Sequence, residues 1–438
     1  MLKEDLIEIS VNKFYYFIFI LILGCSLNSN SAFWSKTQKI ETDIVTTKIL
    51  FEDIKPNKNE FNPKLSISLP KKDVKNINSN FNNDGFTQMN INYENFSKYN
   101  FSKIENFSGF EPELLIDSNS LYFFDNKGSL IKFNKASKID WKKNYYSKSD
   151  KKNSPILFLA TEDENLFVAD TNANYYLLNK INGNLKWKKK HTSSFNSQVK
   201  IKDGKAIIVD MENNLRCFSI INGKNLWSVP TELTVVTSQK KQSIIIVNNL
   251  VIFSNSVGDI TAVDFENGEI IWQTPTRILG FGRNITLRNS DLVTDGTFVY
   301  MSNNKNEFYA LDLKTGIIKW KQKINSEIRS VIISDYIVTI SNEGLMIVLD
   351  RNNGNIIRIN NILKEIKEKK RDSYYPVGFI ISGGKVYLTT KNGRLFVINF
   401  SDATFNKILK LDRDKLQRPV YFNKEIYIAK DNSIIRIN

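Results

Sequence analysis

The chain has 438 residues, of which 41% are hydrophobic, and this is enough apolar material for a large core. Cys25 and Cys217 form no closely spaced pair and His191 is the only histidine, which excludes most zinc sites and haem attachment and leaves a histidine-dependent triad one candidate base. The formal charge of +15 comes from 49 Lys and only 12 Arg; because Arg is the residue suited to bidentate phosphate contacts, this balance favours a generally basic surface over nucleic-acid binding.

Residues 1–24 are predicted to be an export signal. The unbroken apolar run FYYFIFILIL (14–23) has ten residues, about half of the roughly 20 that a membrane-spanning helix needs. The sequence ILGC (22–25) resembles the lipobox of bacterial lipoproteins. That resemblance implies removal of residues 1–24 and diacylation of Cys25, and Ser26 is compatible with delivery to the outer membrane. An ordinary signal peptide with Cys25 in its tail is the alternative.

Residues 25–107 are predicted to be mainly a tether that follows the lipidated cysteine. This stretch is rich in Asn, Lys and Ser and has no sustained period of 2 or 3.6 residues, which is typical of a linker. Within it, residues 92–103 (NYENFSKYNFSK) alternate between apolar and polar side chains and are predicted to form a strand.

Residues 108–438 contain one element repeated eight times. A short apolar strand, a polar turn and a second strand recur at separations of 38 to 49 residues. Such a period holds four β-strands, so the sequence predicts an all-β, eight-bladed propeller of four-stranded antiparallel blades. The chain ends just after the third strand of the last blade, and residues 92–103 are predicted to supply the missing strand. The matching positions are Tyr122, Phe167, Ile207, Ile252, Tyr300, Val338, Tyr387 and Tyr427.

A second signature follows the repeated strands: a glycine that precedes a tryptophan by four residues. Because Asn precedes the glycine in three of the four copies, a two-residue type I′ hairpin turn is predicted there. The tryptophan is expected on the outermost strand, in the wedge between neighbouring blades. The four complete copies are Gly183 with Trp187, Gly223 with Trp227, Gly268 with Trp272 and Gly316 with Trp320.

The stretch ALDLKTGIIKW (310–320) matches in full the repeat pattern of pyrroloquinoline-quinone-type propellers, and about three quarters of the chain resembles this repeat family. The resemblance raises a quinone-dependent dehydrogenase as one function. That family pairs adjacent cysteines against the quinone and binds calcium, whereas Cys217 stands alone in a strand and is expected to be a small buried hydrophobe. Residues 162–164 (EDE) are best explained as a solvated loop. We therefore predict no catalytic residue, no metal site, no cofactor and no enzymatic activity.

A lipobox, a tether and a propeller without cofactor residues together resemble the BamB-type propeller lipoproteins of the outer-membrane β-barrel assembly machinery. The resemblance implies a lipid-anchored monomer on the periplasmic face of the outer membrane, within a hetero-complex. Its partners would be the central barrel subunit and unfolded outer-membrane proteins. A periplasmic sugar- or peptide-binding propeller is the remaining alternative, because fold alone does not fix function.

Two long inter-blade connections, residues 230–242 and 274–291, are the candidate interaction loops. In the family, such loops bind the barrel subunit through aliphatic, Arg and Asp side chains. The resemblance therefore points to a partner-binding site whose members are Arg288, Ser290, Asp291, Val235 and Val236.

Overall fold

The computed structural model describes residues 59–68, 83, 86–87, 90–91, 93–117, 120–232, 240–276 and 287–438. The predicted signal peptide, Cys25 and the pair Val235 and Val236 lie outside these residues. The described part of the chain forms eight blades, each with four antiparallel strands, which confirms the predicted eight-bladed propeller. No helix in that part is long and apolar enough to cross a membrane.

The strands of a blade follow one another in chain order from the centre outward. The first strands of blades 1 to 5 contact one another in succession, as expected for strands arranged around a central channel. In blades 1 to 4 the strands are Leu115–Asp117, Ser120–Phe124, Leu130–Asn134 and Ile139–Lys143; Leu157–Glu162, Asn165–Asp170, Asn174–Asn179 and Leu185–Lys190; Lys200–Lys202, Lys205–Val209, Leu215–Ser219 and Asn225–Val229; Ile244–Val247, Leu250–Ser254, Asp259–Asp264 and Ile270–Pro275.

Blades 5 to 8 repeat this arrangement, and blade 8 takes its fourth strand from the N-terminal part of the chain. Their strands are Val293–Thr294, Phe298–Asn303, Glu307–Asp312 and Ile318–Gln322; Val331–Ile333, Tyr336–Ile340, Leu345–Asp350 and Ile356–Asn361; Pro376–Ser382, Lys385–Thr390, Arg394–Asn399 and Phe405–Lys410; Val420–Phe422, Glu425–Ala429, Ser433–Ile437 and Phe96–Asn100. The helices between described strands are short: Phe107–Phe110, Lys148–Lys152 and the 3₁₀ helix Glu368–Tyr374.

The repeated apolar position predicted from the sequence is the middle of the second strand in every blade. None of these eight side chains is more than 4% exposed, because the second strand is covered by a neighbouring blade on each face. The hydrophobic core is therefore distributed between the blades rather than concentrated at one point.

The propeller closes through the strand Phe96–Asn100, which lies inside the predicted segment 92–103. It pairs antiparallel with Ser433–Ile437, with Tyr99 opposite Ile434. Tyr99 is 1% exposed, and its ring centroid lies 5.4 Å from that of Phe133 in blade 1. The predicted closure by an N-terminal strand is confirmed, and the strand both completes blade 8 and packs against blade 1.

Other residues of the predicted tether also lie on the propeller. Phe86–Thr87 pairs parallel with the first strand of blade 7, in register with Ile381 and Ser382. Further toward the N-terminus, Phe61 pairs with Ile359, on the outer strand of blade 6. The N-terminal part of the chain therefore contacts blades 6, 7 and 8.

The glycine and tryptophan of the sequence signature meet between blades, not within one. The Trp272 indole donates to the Leu313 carbonyl oxygen of the next blade at 3.0 Å, and its ring covers the Cα of Gly316. A Cβ added at Gly223 would lie 2.6 Å from Trp187, so only glycine fits under the ring. The contacting pairs are Trp141 with Gly183, Trp187 with Gly223, Trp227 with Gly268, Trp272 with Gly316 and Trp320 with Gly354.

The predicted two-residue type I′ turn is wrong. Gly183 has a positive φ of 73°, but Asn182 is not among the residues with positive φ, and the type I′ turn requires both. The loop instead has four residues, because Asn179 and Asn184 are the last backbone pair of the two strands. The Asn179 side-chain oxygen accepts from the backbone N–H groups of Ile181 and Asn182, which stabilises this longer turn.

Candidate protein-binding site

One mouth of the central channel is surrounded by charged side chains. The residues that precede the first strand of each blade meet here, since the chain enters every blade at this end of the channel. They line a cavity of about 360 Å³, and a neighbouring cavity of about 650 Å³ opens beside blades 7, 8 and 1. We call this region the channel mouth; its charged members include Glu111, Glu113, Lys200, Lys240, Lys241, Arg288, Asp291, Glu327, Arg329 and Lys415.

Arg329 links two carboxylates across the channel mouth. It donates to Asp291 of the preceding blade at 2.8 Å and to Glu113 of blade 1 at 2.8 Å. Lys241 approaches Glu113 at 3.0 Å, and Gln198 donates to the same carboxylate at 2.7 Å. The Arg329 side chain is only 9% exposed and that of Asp291 15%, so their ion pair has little access to water, whereas the Glu113 side chain is 41% exposed.

The cations of the channel mouth keep its carboxylates ionised. Burial alone would raise the pKa of Asp291, but Arg329 and Lys241 lower it to about 2. Burial would also raise the pKa of Glu113, but Lys241 and Arg329 hold that pKa well below its usual value. At neutral pH both carboxylates are therefore charged and bound to cations of the same chain.

A second set of ion pairs lies nearer the outside of the mouth. Arg288 donates to Glu327 at 2.6 Å, and Lys415 donates to Glu111 at 2.7 Å. The Arg288 side chain is 39% exposed, whereas that of its partner Glu327 is 13% exposed. Arg288 is therefore held in place from one side and open to a partner on the other.

Asn83 occupies the channel beneath these ion pairs. Its amide nitrogen donates to the Gln198 side chain at 3.0 Å and to the Leu292 carbonyl oxygen at 3.0 Å, which joins blades 3 and 5. Its amide oxygen accepts from Lys200 at 2.9 Å. Burial lowers the pKa of Lys200 to about 8, and nearby Glu113 partly offsets this effect. The chain itself thus fills part of the channel below the mouth.

The structure brings the predicted residues Arg288 and Asp291 to the channel mouth, whereas Ser290 lines neither of its two cavities. Ser290 is 2% exposed, and its hydroxyl oxygen accepts from the Ser302 backbone N–H. Asp291 is 15% exposed on its side chain and bound to Arg329. Arg288 is the one of the three with a substantially exposed side chain.

Glu113, Gln198 and Arg329 were not predicted as members of this site, although the sequence contains a signal for them. Each stands nine residues before the matching apolar position of its own repeat, as Asp291 does before Tyr300. Residues at the same position of each propeller repeat lie at the same depth in every blade, so residues at this position form a ring around the channel. The polar members of this ring are Glu113, Gln198, Ser243, Asp291, Arg329 and Arg418.

The structure also shows the surroundings of Cys217 and Glu162, the other residues considered for a chemical role in the sequence analysis. Cys217 is fully buried in the third strand of blade 3, and burial raises the pKa of its thiol to about 12. Glu162 accepts from the Gly204 backbone N–H in a neighbouring blade. Within the described residues, no three side chains among His, Cys, Asp and Glu are grouped so that they could hold a metal ion.

Residues 126–360 match the family model of outer membrane protein assembly factor BamB, which is more than half of the chain. The chain belongs to this family. The BamB of Yersinia pestis is 25% identical to it over 191 residues, and the match covers 43% of this chain and 46% of that protein. The matched region thus spans less than half the length of that relative.

Solved structures share the fold at low sequence identity. BamB from Moraxella catarrhalis superposes with a TM-score of 0.65 at 12% identity, over 80% of this chain and all of that chain. A europium-containing methanol dehydrogenase superposes with a TM-score of 0.60 at 12% identity, over 80% of this chain and 88% of that chain. The fold is therefore common to BamB-type proteins and to dehydrogenases, and only the family match separates the two.

Proposed function

We propose that this protein is a non-catalytic scaffold anchored by lipid at Cys25 to the periplasmic face of the outer membrane. In this proposal it binds the central barrel subunit of the assembly machinery and assists the assembly and insertion of outer-membrane β-barrel proteins, which would contact it while unfolded. Family membership supports the assembly role. The contact surface is the channel mouth, with Arg288 as the side chain that reaches the partner.

The observation on which this surface rests is the preorganised charge of the channel mouth. Glu327 already holds Arg288, and Arg329 is fixed between Asp291 and Glu113. A partner would therefore meet side chains that have little conformational entropy left to lose, which lowers the cost of binding. In the proposal Arg288 contacts the partner directly, and Asp291 positions Arg329 rather than touching the partner itself.

The non-catalytic part of the proposal rests on the residues present in the repeats. A quinone site of the dehydrogenase type needs adjacent cysteines, but Cys217 is alone and buried among aliphatic side chains of blades 3 and 4. Asn83 and its hydrogen-bond partners fill part of the channel. Titration of the protein with pyrroloquinoline quinone and calcium tests this part, and a saturable change in the quinone absorbance would contradict it.

Charge reversal at Arg288 tests the partner-binding part. We expect Arg288→Glu to weaken binding to the soluble periplasmic domains of the barrel subunit more than tenfold, because loss of a desolvated charge pair commonly costs about 2 to 5 kcal/mol. Arg351→Glu is the matched control. Arg351 is 30% exposed and pairs with Asp295 at 3.2 Å, at the end of the blades opposite the channel mouth.

The binding measurement is a titration of full-length protein in detergent with the partner's domains, after the melting temperatures of the variants have been compared. Binding by wild type and Arg351→Glu but not by Arg288→Glu would support the proposed surface. If wild type fails to bind, the assembly role is wrong. If Arg288→Glu binds like wild type, the role stands and the contact surface lies elsewhere.

A further inference from the structure

Residues 59–68 lie along the outer strand of blade 6 and continue onto blade 7. Phe61 and Ile359 exchange two backbone hydrogen bonds, of 3.1 and 2.8 Å, which add a short extra strand to the blade edge. Farther along, the Ile67 backbone N–H donates to the Ser401 carbonyl oxygen at 3.1 Å. The Ile67 side chain is 4% exposed and belongs to the core between blades 6 and 7.

This segment covers a blade interface that lacks tryptophan. Arg358 lies opposite Val348 in blade 6, the same register position that Trp320 occupies opposite Ala310 in blade 5. It stands four residues after Gly354, where the signature predicts Trp. Arg358 is fully buried, so its charge needs hydrogen-bond acceptors from the surrounding chain.

Residues 59–68 supply one of those acceptors. The Arg358 guanidinium donates to the carbonyl oxygens of Phe400, at 2.5 Å, and of Ser401. The Phe400 carbonyl stands at the turn position whose carbonyl accepts the indole hydrogen bond at other interfaces. The guanidinium also donates to the Leu65 carbonyl oxygen at 2.9 Å. Backbone carbonyl groups of blade 7 and of the segment 59–68 therefore surround one buried cation.

The turn of blade 7 shows the same change from the opposite side. Its left-handed position is Ala403, with φ of 59°, whereas the corresponding residues beneath tryptophan are glycines. A methyl group fits at Ala403 because Arg358 extends toward the carbonyl groups instead of covering the turn as an indole does. The interface has therefore changed on both of its sides, and the segment 59–68 fills the resulting space.

We propose that the groove between blades 6 and 7, with Arg358 at its centre, is a binding site for residues 59–68. The segment acts as a latch that fastens the N-terminal part of the chain to the side of the propeller. Its specificity comes from three features: backbone pairing at Phe61, the carbonyl oxygen of Leu65 and the buried side chain of Ile67.

The latch has a consequence for the membrane anchor, which rests on the proposed lipidation of Cys25. Without it, 57 residues (26–82) would separate the anchor from Asn83, the next residue that is bound to the body; with it, 33 residues (26–58) separate the anchor from the body. A chain spans at most about 3.3 to 3.6 Å per residue, so the maximum reach falls from roughly 190–205 Å to roughly 110–120 Å. The connection also leaves the body at blades 6 and 7.

Hydrogen exchange of the full-length chain tests the latch without depending on lipidation. In wild type, the Phe61 and Ile67 amides should exchange slowly, since both donate to the propeller backbone. Ile67→Asp should accelerate both at least tenfold and leave the Tyr99 amide unchanged. Leu65→Asp is the matched control, because the Leu65 side chain is 43% exposed and only its carbonyl group is used. Fast exchange in wild type, or no effect of Ile67→Asp, would overturn the proposal.

A second variant keeps the blades joined while removing the site. Arg358→Trp combined with Ala403→Gly recreates the pairing found at the other interfaces, so the protein should fold and the latch amides should exchange at least tenfold faster. Conversely, a synthetic peptide of residues 57–70 should bind the Ile67→Asp protein and slow exchange at Ile359. Protection of residues 61 and 67 that persists in the double variant would show that Arg358 does not select the latch.

Discussion

Substitution of Gly316 by alanine measures how much the interlocking of blades 4 and 5 depends on the bare glycine beneath Trp272. Gly316 has φ of 70°, and an added Cβ would overlap the Trp272 ring. Gly204 provides a matched control with φ of 71° and nothing within 4 Å of an added Cβ. The two substitutions impose the same backbone strain, and only the first also imposes a collision.

The two costs can be estimated separately. Holding an alanine in the left-handed region costs about 1 to 2 kcal/mol, and both variants should lose this amount. Forcing a methyl group into a well-packed contact costs about 1 to 3 kcal/mol more. The free energy of unfolding should therefore fall by about 1 to 2 kcal/mol in Gly204→Ala and by about 2 to 5 kcal/mol in Gly316→Ala.

Urea titration followed by tryptophan fluorescence would measure both values. Equal losses in the two variants would refute the account of the signature, because the glycine would then be needed for its φ alone. Ala403 provides a comparison within the chain, because it has a methyl group and a φ of 59°. Its turn faces Arg358 of the preceding blade instead of a tryptophan.

Three further predictions concern the closing strand, the channel mouth and the lipid anchor. Tyr99→Ala in the closing strand should lower the free energy of unfolding by about 3 to 5 kcal/mol, whereas Phe96→Ala, at a ring that is 47% exposed, should lower it far less; equal losses would contradict closure through Tyr99. Burial would raise the pKa of Asp291, but Arg329 lowers it from an ordinary 3.8 to about 2. Because the carboxylate is charged more readily in the folded than in the unfolded protein, it contributes stability above pH 3.8 that should be lost as the pH falls toward 2. Between pH 3.8 and pH 2, the free energy of unfolding measured by urea titration should fall by about 2 kcal/mol more in wild type than in Asp291→Asn. An equal fall in the two proteins would contradict the ion pair. Cys25→Ala should abolish incorporation of a fatty-acid analogue in cells, and equal labelling of the variant would contradict the lipid anchor.

The blade number and the closing strand could be predicted because each depends on a local and repeated pattern. Alternation around Tyr300 and its counterparts specifies a strand, and the count of eight requires only the period. The strand Phe96–Asn100 could be predicted because a propeller blade lacking its outer strand must obtain one elsewhere. The turn type failed because the side chain of Asn179, outside the two-residue motif, stabilises a longer loop.

The candidate site was predicted less completely because its contacts join distant parts of the chain. Arg329 and Glu113 are 216 residues apart, and no local pattern shows that they form an ion pair. Their shared offset of nine residues before the repeated apolar position would have placed both around the channel, but not in contact with each other. Which neighbours pair depends on side-chain length and on the curvature of the closed ring.

The glycine and tryptophan signature is absent at the interfaces that the N-terminal part of the chain fills. Between blades 6 and 7, Arg358 replaces tryptophan and Ile67 enters the core. Between blades 7 and 8, Ile91 is buried with Tyr387 and Ile426, and Tyr93 packs against the same cluster.

The interface between blades 8 and 1 receives Tyr99, and blade 1 has Ser137 rather than glycine at its turn. A tryptophan that covers the next turn requires glycine there, so loss of the ring removes the requirement on the neighbouring blade. The missing signatures at the end of the chain are therefore coupled changes across interfaces. At each of these interfaces, an apolar side chain from the residues before the propeller is buried, namely Ile67, Ile91 or Tyr99.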